Sequence, residues 1–191
     1  MIIMLRRVLG VFLLLSLVTG VGYPLLVTGV AQLALADEAN GSLIERGGAP
    51  VGSSLLGQPF SSPGYFWSRP SATGPQPYNG SASTGTNQAA TNPALREAVT
   101  ARVQELRSAD PGNGAPVPID LVTASGSGLD PQISPAAAEF QVARVARARS
   151  LPPDVVRALV EQYTQGRTFG ILGEPRVNVL ALNLALDASR D

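Results

Sequence analysis

Residues 8–36, VLGVFLLLSLVTGVGYPLLVTGVAQLALA, run from Val8 to Ala36 without a single charged side chain. A hydrocarbon core about 30 Å thick needs roughly 20 apolar residues in a helix, so this run is long enough to cross a bilayer with tilt. Arg6 and Arg7 precede it, Asp37 and Glu38 follow it, and the next basic residue is Arg46. That bias predicts residues 1–7 in the cytoplasm, a membrane helix over 8–36 and an extracytoplasmic domain over 37–191. A cleaved secretory signal is the competing reading, because Ala34-Leu35-Ala36 fits a small-residue cleavage pattern. Signal cores run roughly 7–15 residues, and the length of the run therefore favours a retained anchor. Gly22 and Gly29 lie seven apart on one helical face, with Pro24 between them, where small residues admit a second membrane helix. Glycine and proline are also common in membrane helices for no such reason.

The residues after the anchor are enough for one ordinary domain with a real core. Net formal charge is zero, and nothing in the distribution suggests nucleic acid. The chain contains no Cys, no His and no Lys. Thiolate chemistry, imidazole metal sites, His-based triads and Ser-Lys dyads are thereby excluded. No metal site is expected.

Ser42–Arg46 and Val51–Leu56 flank Gly47-Gly48-Ala49-Pro50, which reads as a β-hairpin. Phe60, Tyr65, Phe66 and Trp67 follow, a concentration expected to anchor the core, the alternative being an interfacial belt or a binding hot spot. From Ser68 to Asn92 the chain is rich in Ser, Thr, Gly, Asn and Pro, a long loop whose amides and hydroxyls suit a binding surface. Asn92 and Pro93 open a helix to Arg107 with Leu95, Val99, Val103 and Leu106 at helical spacing. Val117–Thr123 reads as a strand, with Pro118 at its edge. A helix from Pro135 to Arg149 follows, capped by Ser134, with Arg144, Arg147 and Arg149 expected on solvated or salt-bridged faces. Pro152-Pro153-Asp154 opens another helix ending at Gly166. Val177–Leu186 fits either a helix capped by Asn178 or a strand. The expected architecture is a single membrane helix followed by one α/β (α+β) domain with a small sheet and about four helices.

Between the expected strand and the Pro135 helix lies Ala124-Ser-Gly-Ser-Gly-Leu-Asp-Pro-Gln-Ile-Ser134. Strand, Gly/Ser loop and helix form an arrangement in which successive amides hold an anion, and Ser125, Gly126, Ser127 and Gly128 are the candidate nucleotide-binding residues. The P-loop pattern fails because it requires Lys. The nucleophile-elbow pattern fails because Ser125 stands where Gly is needed before Ser127. A structural turn, with Asp130 as a local cap, is the competing reading.

Gly22-Tyr-Pro24, Gly57-Gln58-x-Phe60, Tyr65-Phe-Trp-x-Arg-Pro-Ser71, Tyr78-Asn79, Ser125-Gly-Ser-Gly-Leu-Asp-Pro131, Ile133-Ser134 and Pro175-Arg-Val-Asn178 occur together in this order. In that combination, from the anchor to Leu186, the chain resembles the C subunits of Kdp-type potassium-transporting ATPases. It departs at Gln132, where many members carry His, and at Thr84-Gly-Thr86, where they tend to carry a Ser/Gly run. The resemblance implies a non-catalytic accessory subunit of a high-affinity potassium uptake pump in the bacterial inner membrane. Its implied partners are a channel-like potassium-translocating subunit and a P-type ATPase subunit. The resemblance also implies a catalytic chaperone that raises the ATPase subunit's affinity for ATP. The expected topology places that effect at a distance, so the chain needs no cofactor of its own and meets ATP only through the complex. Two readings of other classes stand beside it: a membrane-tethered extracytoplasmic binding protein using the Ser68–Asn92 and Gly/Ser loops, and a tethered hydrolase restricted to Ser, Glu and Asp.

Overall fold

A computed structural model describes residues 1–189 of the chain, which divides into two compact units, Met1–Leu43 and Ile44–Asp191. The first unit is dominated by one long helix, Ile2–Ala34, whose 33 residues are long and apolar enough to cross a membrane. Helix α1 (Ile2–Leu17) and helix α2 (Tyr23–Ala34) are joined by a π-helical turn at Val18–Gly22. The turn has a local cause. Pro24 has no N–H to donate and its ring crowds the carbonyl one turn back; the ladder widens just ahead of it, with the Tyr23 amide donating to the carbonyl of Val18. The helix takes in Arg6 and Arg7 and ends before Leu35, whose backbone leaves the helical region. The short helix α3 (Ala36–Ala39) follows.

Strands β1 (Leu43–Arg46) and β2 (Ala49–Ser53) pair as the expected hairpin. Gly47 (φ 63°) and Gly48 (φ 77°) form its turn, and two successive positive φ angles are what a two-residue turn matching strand twist requires.

In the second unit helix α4 (Pro93–Ala109) is capped by the Asn92 side chain, which accepts from the Ala94 amide. The Val117–Thr123 stretch is not a strand. It forms a 3-10 turn at Ile119–Leu121, and the strand that does form, β3 (Gln132–Ile133), lies on the far side of the Gly/Ser loop. Proline at 118 withholds one ladder donor, while the Thr123 hydroxyl and amide both return to the Ile119 carbonyl and close the backbone locally. Helix α5 (Pro135–Arg149) has the expected bounds and cap, with Ser134 Oγ accepting from the Ala137 amide at 3.0 Å. Helix α6 (Pro153–Gln162) stops earlier than its sequence predicts, and strand β4 (Thr164–Gln165) takes up the remainder. Strand β5 (Arg176–Asn178) runs directly into helix α7 (Val179–Ala188), so both readings of the last apolar segment hold, three residues as strand and the rest as helix. Asn178 is the pivot: its Oδ1 caps α7 at the Ala181 amide, and its Nδ2 donates to the Ser54 carbonyl.

The sheet is antiparallel in the order β3-β5-β4, with Ile133 opposite Val177 and Thr164 also opposite Val177. Over it lies a core of Ala137, Ala138, Val142, Val145 and Ala146 from α5, Val156 and Val160 from α6, and Leu182 and Leu186 from α7. Phe66 and Trp67 are buried in it, as the aromatic cluster predicts, together with Leu106 and Leu121. Each fully buried Leu, Val or Phe contributes about 1.5–3 kcal/mol. The architecture is the α+β domain with a small sheet and four longer helices that the sequence predicts.

Candidate functional site

The Gly/Ser loop gathers almost every motif singled out in the sequence. Arg69 pairs with Asp130 at 3.1 Å, and Ser71 Oγ donates to the Gly128 carbonyl at 2.7 Å. The Thr84 amide and the Ser83 hydroxyl both donate to the Ser127 carbonyl, at 3.0 and 3.1 Å. Tyr78 Oη donates to the Arg69 carbonyl, and the Gly57 amide donates to the Leu129 carbonyl at 2.8 Å. Gly57 has to be glycine, because a Cβ there would stand 2.3 Å from the Tyr78 ring. The Ser68–Asn92 segment, which has no helix or strand, is therefore laid over the Gly/Ser loop and tied to it by its own polar groups.

The loop's internal bonds limit what it can hold. The Gly128 amide donates to Ser125 Oγ at 2.9 Å, and the Leu129 amide to Ser127 Oγ at 3.2 Å. Gly128 sits at φ 68°, and a Cβ there would stand 2.6 Å from the Thr84 carbonyl oxygen. Gly126 faces open space. No strand precedes the loop, and β3 separates it from α5. Asp130 caps locally, Oδ1 accepting from the Gln132 amide at 2.9 Å. At the start of α5 the anionic place is taken by the chain's own carboxylate, Asp120 Oδ2, which accepts from the Ser134 amide at 2.7 Å.

Two buried side-chain amides and two arginines were not legible as a group in the sequence. Phe66 and Trp67 cross the core outside any helix or strand, and side chains supply the backbone partners that a strand would. Asn183 accepts from the Phe66 amide at 2.8 Å and donates to its carbonyl at 3.0 Å. Gln141 does the same for Trp67, at 2.7 and 3.2 Å. Arg144, expected on a solvated face, is 4 % exposed; it donates to the carbonyls of Pro63 and Tyr65 and to Gln141 Oε1, and its guanidinium stands 4.6 Å from the Trp67 ring centroid. Burial lowers its pKa from the usual guanidinium range to about 10, against the pull of Asp110 and with Arg102 adding to the shift. Arg149 is buried as well, over the Tyr65 ring and paired with Asp187 at 2.8 Å. Arg147 is exposed and pairs with Asp110 at 2.9 Å, so the salt-bridged face expected of these arginines holds for Arg147 and Arg149 and fails for Arg144. The one sequence signal was a polar Gln141 and Asn183 each inside an apolar helical stripe. In the Ile2–Ala34 helix, a Cβ on Gly29 would meet nothing, and one on Gly22 only the Leu17 carbonyl at 3.8 Å, so both glycines present open backbone.

The family model described as KdpC, K+-transporting ATPase, c chain, matches residues 5–188. Curated proteins named potassium-transporting ATPase KdpC subunit are similar over nearly the whole chain. One from Methylococcus capsulatus is 64% identical over 185 residues, 97% of each chain. One from Variovorax paradoxus is 63% identical over 184 residues, 96% of this chain and 95% of its own. One from Sorangium cellulosum is 62% identical over 186 residues, 97% and 98% of the two chains. With the motifs that carry the resemblance converging on one knot of loops, and identity sustained from the apolar helix through α7, this chain belongs to the C-subunit family of potassium-transporting ATPases.

Proposed function

We propose that the chain is a non-catalytic accessory subunit of an ATP-driven potassium uptake pump, and that the match across residues 5–188 carries this reading. Residues 1–7 lie in the cytoplasm, the Ile2–Ala34 helix holds the chain in the inner membrane, and residues 37–191 lie outside. The chain assembles there with a channel-like translocating subunit and a P-type ATPase subunit. A P-type pump hydrolyses ATP on the cytoplasmic side, so an external domain reaches that site only through differential contact with two states of the pump. The Gly/Ser loop is then a structural knot, a reading supported by its amides already donating to Ser125 and Ser127.

Gentle detergent extraction and pull-down of the tagged full-length chain should bring down two large membrane proteins in fixed stoichiometry; recovery of the chain alone would overturn the accessory-subunit reading. Calorimetry on the same chain should show no saturable binding of ATP. Gly128→Val should destabilise the domain by roughly 2 kcal/mol or more, since a side chain there meets both a positive φ and the Thr84 carbonyl. Gly126→Val should be nearly neutral. Tight ATP binding abolished by Gly126→Val in a folded chain would put the nucleotide back in this loop.

A further inference from the structure

Between β4 and β5 the chain makes an excursion, Gly166 to Pro175, with the apolar residues Phe169, Ile171 and Leu172 at its tip. They are 88, 74 and 57 % exposed, in a domain whose other aromatic side chains are all buried or half-buried. The tip is built and braced. Thr168 and Leu172 exchange two backbone hydrogen bonds, each at 2.9 Å, the Gly170 amide donates to the Arg167 carbonyl at 3.0 Å, and the Ile171 amide to the Thr168 carbonyl at 3.3 Å. At its base Arg167 grips both oxygens of Glu174, at 2.9 and 2.7 Å. Phe169 itself is held at φ 55°, a left-handed conformation that costs an aromatic residue on the order of 1 kcal/mol or more and here turns the ring outward.

We propose that the Phe169–Leu172 tip is a preformed docking knob that enters an uncharged, apolar cleft on another subunit of the potassium pump; the inference rests on the accessory-subunit reading above. Charge selects the partner's chemistry, because residues 168–173 carry no charged side chain, Arg167 and Glu174 neutralise one another, and the remaining cation, Arg176, stands at the base beside Gly173 and not at the tip. A bilayer fits less well. Membrane-seated loops use clusters of basic residues at the headgroups, whereas here Arg167 is already paired and Arg176, beside Gly173, is the one further cation at the base of the loop, and a fluid surface gives no return for a strained, fixed shape. A second copy of this chain fits less well too. The three side chains expose on the order of 400 Å², a patch size often functional in monomers but about half of what each partner of a stable dimer buries. An aliphatic-aromatic tip inside a charged rim has the anatomy of a hot spot, and its prior rigidity lowers the entropy lost on docking.

The test uses the full-length chain coexpressed with its pump. With p-benzoylphenylalanine at position 169, irradiation of native membranes should give an adduct to one pump subunit, identified by mass spectrometry; adducts confined to lipid or to a second copy of the chain would overturn the proposal. Phe169→Asp with Ile171→Asp should lower copurification with the pump by about tenfold or more while the chain stays in the membrane fraction. Phe169→Gly, which relieves the positive φ, should weaken copurification as well while leaving the fold at least as stable, so a loss of binding cannot be a loss of folding. If the unsubstituted chain fails to bring down the pump, the accessory-subunit reading fails; if it succeeds and the substituted chains succeed equally, the knob alone fails.

Discussion

Arg144 shows how a single side chain sets the order of this core. Its guanidinium makes no ion pair among the described residues and is instead held by two backbone carbonyls, Gln141 and the face of Trp67. Such a site needs the planar fork of arginine, since a lysine presents one compact ammonium that cannot reach three acceptors in different directions. Arg144→Ala should cost about 3–5 kcal/mol, because it leaves the Pro63 and Tyr65 carbonyls buried without donors and opens a cavity beside Trp67, and Arg144→Lys should recover little of it. Denaturant unfolding of the two variants measures both. Tyr78 carries the pH dependence. Burial pushes its phenol above the ordinary value near 10, outweighing the Ser68 hydroxyl and the Arg102 and Arg69 cations. The unfolded chain therefore loses this proton first, and Tyr78's share of the stability, complete below about pH 10, declines as the pH rises from there through the folded value. Tyr78→Phe should lower stability at neutral pH, since the hydrogen bond to the Arg69 carbonyl is lost, and should flatten the decline that begins near the ordinary phenol value of about 10, as read by unfolding midpoints.

Among the elements, the membrane helix and α5 place their small residues to opposite ends. In α5, Ala137, Ala138 and Ala146 are buried, and their small size lets neighbouring elements approach the helix axis. In the Ile2–Ala34 helix the small residues lie bare, with Gly22 at the end of the π-helical turn and Gly29 two turns further along the same face of α2. A close-packed partner helix is what such a face accommodates. Replacing both glycines with leucine should weaken assembly with the pump while leaving insertion intact, as read by copurification against membrane-fraction yield; unchanged assembly would place that face against lipid. The helices were legible because caps and periodicity are local. Asn92, Ser134 and Asn178 each lie immediately before a helix and each accepts from an amide in its first turn. The Val117–Thr123 stretch was not, because a strand exists only where a partner edge is offered, and the pairing edge of β5 went to Gln132–Ile133 instead.

For the whole molecule, the anchored topology proposed above rests on two decisive measurements. Reporter fusions after Asp191 should behave as extracytoplasmic, and the mature chain should retain residues preceding Asp37; a chain beginning at Asp37 would replace the anchor with a cleaved signal. The sequence by itself determined the apolar span, the α+β character, the helix caps, the hairpin at Gly47-Gly48 and, through its ordered motifs, the family. All of these depend on residues near one another in the chain or on local backbone preference. It took the folded chain to show that the Gly/Ser loop is knotted to Arg69, Ser71 and Thr84, that Arg144 and Arg149 are inside, and that Phe169 is outside. Those outcomes depend on which distant groups satisfy a polar side chain. An arginine reads as a surface residue until the carbonyls of Pro63 and Tyr65, about eighty positions away, are brought to it, and which amides of a glycine-serine loop are taken, here those of Gly128 and Leu129 by Ser125 and Ser127, is settled by how the loop folds on itself.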